Sequence, residues 1–349
     1  MVDNWASTSF FWDSAFGALG LVEFDSEQAF QALEVLFSFQ RKDGCVPTHA
    51  YEYSPGSTFL PQPPLLSWAV NHLWERTGNI DFVQSILPKL RGVFDWFTLT
   101  QDQDGDGLPE FRFSGQIADN SPLYDDYVAA VPGHGDCWNV YLPPIASPAL
   151  AGFAYADAHW LAKFYRLFGD EANAAAVEKR VEAYPDLLMK ICYDKATDYF
   201  QDYNHNTQRF NRCRVLTALL PIWAGMPLET DLKKRLIEDN LLSPVRFGGT
   251  MPFPYVSRDD QNYTPKGYWR GRIWPHTTTW MLELLWQNGY QKEADALADN
   301  LVKNVLDREI CIRENYFSGE DVGGGSEDYQ WSSGVYLYLC NRRYRCRSL

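Results

Sequence analysis

What this chain lacks narrows its function first. Basic charge is scarce: 31 Lys and Arg stand against 45 Asp and Glu, a formal net charge of −14. That balance disfavours nucleic acid and anionic membrane surfaces, because neither gains energy from an acidic partner. No apolar run approaches the ~18 residues of a membrane span. The first residues, with Asp3 among them, lack the basic-then-apolar pattern of a signal peptide. The seven cysteines (Cys45, Cys137, Cys192, Cys213, Cys311, Cys340 and Cys346) are odd in number, and no two have CxxC spacing. Neither a disulfide framework nor a zinc site is indicated, and reduced thiols in a cytoplasmic protein are the expectation. The six histidines show no HExxH spacing, and there is no GxSxG elbow, P-loop or GxGxxG fingerprint. A catalytic metal, a serine nucleophile and a nucleotide cofactor are therefore not signalled, and the chemistry is expected to need no cofactor.

What is present is apolar and aromatic. Apolar residues make up 46% of 349 residues, enough for a sizeable core, and aromatics reach 15%, with 13 Trp and 20 Tyr. Trp and Tyr serve cores, and their flat amphipathic faces also suit sugar rings. Apolar residues recur at three- and four-residue spacing over 26–40, 64–77, 79–100, 148–168, 170–192, 212–224, 229–242, 274–288, 291–306 and 331–341, which predicts helices. Two kinds alternate. One is apolar on most sides and begins at a polar-aromatic cluster: Trp12-Asp13, Gln62-Pro63-Pro64, Ser147-Pro148, Arg212-Cys213-Arg214, Trp274-Pro275 and Trp331-Ser332. The other is amphipathic and charged, as in 170–192. A helix apolar all round belongs inside and a one-striped helix outside. Six inner helices alternating with outer ones describe an all-α (α/α)6 toroid over a single domain, 1–349. Only eleven residues precede Trp12, so the first outer helix is expected to be absent or incomplete. An irregular helical array is the alternative.

Two acidic motifs stand outside the helical pattern. Ala118-Asp119-Asn120-Ser121-Pro122 is one; Ile312-Arg313-Glu314-Asn315-Tyr316, followed by Gly323-Gly324-Gly325 and Tyr329-Gln330-Trp331-Ser332, is the other. Paired carboxylates among aromatics are what glycosidic-bond hydrolysis requires, one to protonate the leaving oxygen and one to activate water or attack. Taken singly, Asp119 reads equally as a turn aspartate and Glu314 as half of a surface ion pair. The neighbouring Arg313 is expected to keep Glu314 ionised. The glycine run reads as a flexible loop passing near the site. A third signal, Asp102-Gln103-Asp104-Gly105-Asp106, resembles the start of a calcium loop. Phe113 occupies the twelfth position, which rejects an EF-hand. A simpler calcium loop using Asp102, Asp104, Asp106 and a further carboxylate competes with an ion-free acidic turn.

Six motifs in order, Phe11-Trp12-Asp13-Ser14, Gln62-Pro63-Pro64, Asp104-Gly105-Asp106-Gly107, Asp119-Asn120-Ser121-Pro122, Tyr268-Trp269-Arg270-Gly271 with Ile273-Trp274-Pro275, and Arg313-Glu314-Asn315-Tyr316, resemble glycoside hydrolase family 63. That family includes processing α-glucosidase I and bacterial relatives. Trehalases of family 37 and short mannosylglycerate and glucosylglycerate hydrolases look similar. The resemblance implies an (α/α)6 catalytic domain and inverting, exo-acting hydrolysis of an α-glucoside or related α-glycoside. It implies Asp119 as general acid and Glu314 as general base, and a sugar pocket lined by Trp12, Asp13, Gln62, Trp269, Arg270, Trp274 and Trp331. It also favours a structural calcium ion at 102–110. The expected partner is a small oligosaccharide or glycoside, with carboxyl groups about 6.5–9.5 Å apart for inversion. Two departures bear on the leaving group: Trp274-Pro275-His276-Thr277, where relatives commonly read Trp-Pro-Pro, and a long loop 126–147 containing Gly133-His134-Gly135-Asp136. A carbohydrate-binding protein that keeps the toroid without turnover is the alternative. A phosphorylase using Arg270 and Arg272 is a weaker one, because Glu314 would repel phosphate.

Overall fold

Proline and polar caps decide where the helices begin. The computed structural model describes residues 8–51, 62–129, 140–306, 310–319 and 323–344. The cluster Gly133–Asp136 and two cysteines, Cys137 and Cys346, lie outside them. In chain order the helices are α1 Phe11–Leu21, α2 Ser26–Ser38, α3 Leu66–Thr77, α4 Ile80–Thr100, α5 Asp125–Ala129, α6 Pro148–Leu167, α7 Glu171–Val181, α8 Tyr184–Ile191, α9 Leu220–Trp223, α10 Thr230–Leu236, α11 Tyr268–Gly271, α12 Pro275–Gln287, α13 Gln291–Leu301 and α14 Gln330–Tyr344. The outer helices α2, α4 and α7 carry their own caps. Asp25 accepts from Glu27 N and Gln28 N at 3.1 Å, Asn79 from Phe82 N at 3.0 Å, and Asp170 from Asn173 N at 3.0 Å. Each such cap satisfies donors that the first helical turn leaves unpaired. The inner helices α1, α3 and α12 start after Phe10, Leu65 and Trp274, whose side chains cap nothing. At α1 the deficit is met from afar: Gln62 Oε1 accepts from Trp12 N at 2.8 Å.

The burial patterns separate the two layers. Helix α12 buries every residue from Pro275 to Trp286. Helix α13 buries Ala294, Leu297, Ala298 and Leu301, a single stripe. The inner helices form a closed ring, with α1 packed on α3, α3 on α6, α6 on α9, α9 on α12, α12 on α14, and α14 back on α1. The last contact closes the toroid, and it is close because glycines meet there. A Cβ on Gly334 would stand 2.1 Å from Phe16 O, and one on Gly20 would stand 2.7 Å from the Gly334 Cα. Helix α2 covers α1, α4 covers α3 and α6, α7 covers α6, and α13 covers α12. Before α1 the chain is the strand Thr8–Phe10, paired antiparallel with His49–Tyr51. Among the described residues no helix is long and apolar enough to cross a membrane. Cys45, Cys192 and Cys213 are buried free thiols, and Cys311 is a half-buried one.

Three stretches differ from the expected pattern. The helix anticipated over 170–192 is two, α7 and α8, because Pro185 opens a new helix and has no N–H to continue the old one. Residues 212–215 are extended rather than helical. Their amides go elsewhere, Cys213 N to Gln201 Oε1 at 3.2 Å and Arg214 N to Asp260 Oδ2 at 2.8 Å, and helical turns begin only at Leu216. The glycine run is a strand rather than a flexible loop: Gly323–Glu327 pairs antiparallel with Arg313–Tyr316.

Along α12, His276, Trp280 and Glu283 follow one another at i, i+4 and i+7 and face the axis of the ring. Trp280 packs against Trp12, Phe16, Phe153 and Trp223. Glu283 accepts from Trp68 Nε1 at 3.1 Å, Trp223 Nε1 at 2.8 Å and Tyr338 Oη at 2.9 Å, and lies 3.1 Å from His72 Nε2. Those partners come from α3, α9 and α14, so four inner helices share one buried carboxylate. Burial alone would raise its pKa, but His72, Trp223 and Tyr338 more than offset that and leave it below the usual range. Glu283→Ala should therefore lower stability by about 3–5 kcal/mol, because it strands several buried donors at once. The midpoint of urea unfolding measures this; a loss well under ~1 kcal/mol, the scale of an exposed pair, would show that the carboxylate does not tie the ring.

Candidate active site

The two acidic motifs meet at the end of the ring where the inner helices begin. Glu314 sits on the strand Arg313–Tyr316, which the adjacent Ile273 holds through Ile273 N to Tyr316 O at 2.8 Å and Tyr316 N to Ile273 O at 2.9 Å. Side chains alternate across a strand. Arg313 accordingly faces away from Glu314 and pairs with Glu327 at 3.1 Å, so it is not the partner of the carboxylate that its adjacency implied. The Glu314 carboxylate instead accepts from Tyr268 Oη at 2.5 Å and from Ser326 N at 3.2 Å. Its backbone carbonyl accepts from Trp331 Nε1 at 3.0 Å and Ser332 Oγ at 3.2 Å. Gly325, at φ +73°, lies against it, and a Cβ there would come within 2.2 Å of Glu314 Oε2. The glycine run is thus a requirement of close approach.

Asp119 lies in the loop that precedes the turn Pro122–Tyr124. Burial raises its carboxyl to about 7; the neighbouring Trp269 indole opposes the rise, and the charge of Glu314 adds to it. The loop is stitched to the Tyr268–Gly271 segment at two points. Asn120 Oδ1 accepts from Trp269 N at 2.8 Å, and Asp125 forms a two-pronged ion pair with Arg270, one contact at 2.9 Å. A third carboxyl joins them. Asp13, on the first turn of α1, accepts from Tyr329 Oη at 3.2 Å. Burial raises it to about 7, against the Tyr329 hydrogen bond and with the charges of Glu314 and Asp119. Asp13, Asp119 and Glu314 therefore share one electrostatic environment.

The remaining candidates build its walls. Trp12, Trp269, Trp274 and Trp331 surround His276, whose ring centre lies 4.3 Å from that of Trp331 and 4.9 Å from that of Trp12. Trp269 and Trp274 stack face to face at 3.8 Å and 6°. Trp274 is held behind its neighbour by Nε1 donating to Tyr268 O at 3.0 Å. Burial drives the His276 imidazole down to about 3, so it is neutral within this aromatic box. Gln62 belongs to the site through its cap on Trp12, a role that positions the indole. Tyr268 and Tyr329 hold two of the carboxyls, yet sequence reasoning singled out neither. Both belong to the sequence motifs of the site, but nothing in those motifs signals which acid each meets. A separate cleft of about 670 Å³, lined by Asp198, Glu238, Asn240, Pro244 and Arg246, contains none of the candidates; its Arg246 is already paired with Asp259 at 2.9 Å.

The acidic loop is a distinct cluster. Asp102, Asp104, Asp106 and Glu110 can each present an oxygen within 4.8 Å of the others, and Asp104, Asp106 and His205 form a second such set. Backbone amides order it: Asp102 accepts from Gly105 N and Gly107 N, Asp104 from Asp106 N, and Asp106 from Leu108 N. Burial, with the charges of Asp104 and Asp106, raises Glu110 to about 8, and its Oε1 is buried with no hydrogen-bond partner. Four converging carboxyl groups, one of them with a buried oxygen that has no partner, suit a hard divalent cation. His205 Nε2 stands 2.8 Å from Asp106 Oδ2 on the other side of the loop.

Comparisons with known proteins agree with this fold. The family model of the mannosylglycerate hydrolase MGH1-like glycoside hydrolase domain matches residues 7–332. Mannosylglycerate hydrolase MGH1 of Selaginella moellendorffii is 24% identical over 399 aligned residues, covering 93% of this chain and 78% of that protein. Glucosylglycerate hydrolase of Mycolicibacterium hassiacum is 22% identical over 412, covering 93% and 90%. A crystal structure of GH63 mannosylglycerate hydrolase from Thermus thermophilus in complex with glucose superposes with a TM-score of 0.80 at 20% identity, covering 95% of this chain and 93% of that one.

The raised Asp119 carboxyl has a consequence for stability. Its folded pKa lies above the unfolded 3.8, so its favourable contribution is complete below pH 3.8 and is lost as pH rises toward about 7. Asp119→Asn should match the parent's thermal midpoint near pH 4 and exceed it increasingly up to pH 8. A gap that stays constant, or reverses, would show that the carboxyl is not held protonated by the fold.

Proposed function

This chain belongs to the mannosylglycerate hydrolase MGH1-like glycoside hydrolase family, and we propose that it is an inverting, exo-acting hydrolase of small α-glycosides, hexosylglycerates foremost among them. The observation that carries this reading is the contrast between two carboxyls in one aromatic site. Asp119 is held toward its protonated form near neutral pH, while the Glu314 carboxylate accepts two hydrogen bonds. Asp119 gives its proton to the glycosidic oxygen as the bond to the anomeric carbon breaks. Glu314 takes a proton from the water that attacks the opposite face. Trp12, Trp269 and Trp331 offer apolar ring faces, with Asp13 accepting from a sugar hydroxyl; Gln62 and Trp274 hold that wall in place, and Arg270 anchors the acid loop. The relatives' names support a glycerate aglycone.

The test is a panel of mannosylglycerate, glucosylglycerate, kojibiose, nigerose and trehalose, followed by sugar release. Turnover of at least one is expected, with Asp119→Asn and Glu314→Gln each lowering kcat by about 10²–10⁴-fold. Activity should decline as pH rises through about 7, where Asp119 loses its proton. Saturable sugar binding with no release from any member of the panel would favour a binding protein instead.

We propose further that Asp102, Asp104, Asp106 and Glu110 hold a calcium ion that braces the turn from α4 into the acid loop. The ion takes no part in the reaction. Calcium should raise the thermal midpoint, chelation should lower it, and Asp102→Asn should remove the response. An equal response in that variant, or none in the parent, would contradict a site in this loop.

A further inference from the structure

We infer that Tyr268 is a positioning residue for Glu314, its hydroxyl fixing the carboxylate in the orientation in which it accepts a proton from water. This rests on the reading of Glu314 as the base. The terminal torsion of a glutamate is broad, so an unrestrained carboxylate sweeps through many orientations. Here each oxygen has a separate restraint: Tyr268 Oη donates to Oε1 at 2.5 Å, and Ser326 N donates to Oε2 at 3.2 Å. A hydroxyl donating to a carboxylate at this distance is a charge-assisted bond, stronger than a neutral one. The neighbours of Glu314 in the site are the carboxyls of Asp13 and Asp119, whose ionisation its charge opposes.

The tyrosine is itself held rigidly. Its carbonyl accepts from Trp274 Nε1 at 3.0 Å, and its ring meets Trp274 edge-on at 4.7 Å and 81°. The Arg272 guanidinium stands 5.3 Å from the ring centre. Arg272 Nε donates to Lys266 O at 2.9 Å, and its Nη1 donates to Oδ1 of Asn315, the residue after Glu314, at 3.0 Å. The segment bearing the tyrosine and the strand bearing the base are thus tied by Arg272 and by the Ile273–Tyr316 bridge. Burial and the Glu314 charge push the Tyr268 hydroxyl far up, which keeps it a donor throughout the working range.

Tyr268→Phe removes the donor and keeps the ring. Under this assignment kcat falls about 10–100-fold, the scale of a misplaced catalytic group. KM stays within about threefold, and the acidic limb of kcat/KM moves up by about one pH unit as the carboxylate loses a stabilising bond. The basic limb, set by Asp119, stays in place. A variant with kcat within about twofold of the parent and an unmoved acidic limb would overturn the assignment; so would a rise in KM alone, which would place Tyr268 on the substrate. A second measurement needs no turnover. Infrared titration of the carboxyl band that disappears in Glu314→Gln should give a higher pKa in Tyr268→Phe than in the parent, and an unchanged pKa would overturn the assignment. If the parent hydrolyses nothing in the panel but the infrared shift is present, the hydrolase reading fails while the clamp stands.

Discussion

The structure depends on one buried carboxylate. Glu283 sits on the axis of the inner ring and collects Trp68, His72, Trp223 and Tyr338 from three neighbouring helices. A charge taken out of water is tolerable only when its oxygens are satisfied, and here four partners do so at once. The arrangement specifies which helices must face one another and at what depth. Trp280, one turn above, then fixes Trp12 and Trp223, and His276, a further turn up, lies among Trp12, Trp269, Trp274 and Trp331. The aromatic wall is thus the top of a column whose base is Glu283.

Above that wall, burial and repulsion among acids govern the chemistry. Asp13 and Asp119 are each harder to ionise for being buried beside the charge of Glu314, and the available donors decide where charge settles. Glu314 has a hydroxyl and an amide, Asp13 has the Tyr329 hydroxyl, and Asp119 has chiefly an indole beside it. A carboxyl raised by burial beside a carboxylate that accepts two hydrogen bonds is the contrast on which the proposed hydrolysis rests. Rigidity serves the same end. The acid loop is stitched to the Trp269 segment through Asn120 and Asp125, and the Glu314 strand to the same segment through Ile273.

Much of this was legible in the sequence. The inner helix starts at Trp12, Ser147-Pro148, Trp274-Pro275 and Trp331 were visible because proline at a first turn and all-round apolarity are local signals. Asp119 and Glu314 stood out because each broke the helical pattern. The break at Pro185 was equally local and was still passed over, since the apolar period continues on both sides of it. The glycine strand Gly323–Glu327 could not be read as a strand, because glycine has no strand preference and its pairing is set by what lies opposite. Other features depended on partners far apart in the chain. Trp68 and Glu283 are 215 residues apart, and Trp269 and Asn120 are 149. Arg313 misled for the opposite reason: adjacency in sequence puts a residue on the other face of a strand.

In the proposed hydrolysis Asp119 and Glu314 act from opposite faces of one bond, acid on one side and base on the other. Proton NMR of the sugar released in the first moments of turnover, before mutarotation, tests it most directly. An α-glycoside substrate should yield the β-anomer first. Release of the α-anomer first would mean retention, and would contradict the assignment of Glu314 as a base acting through water.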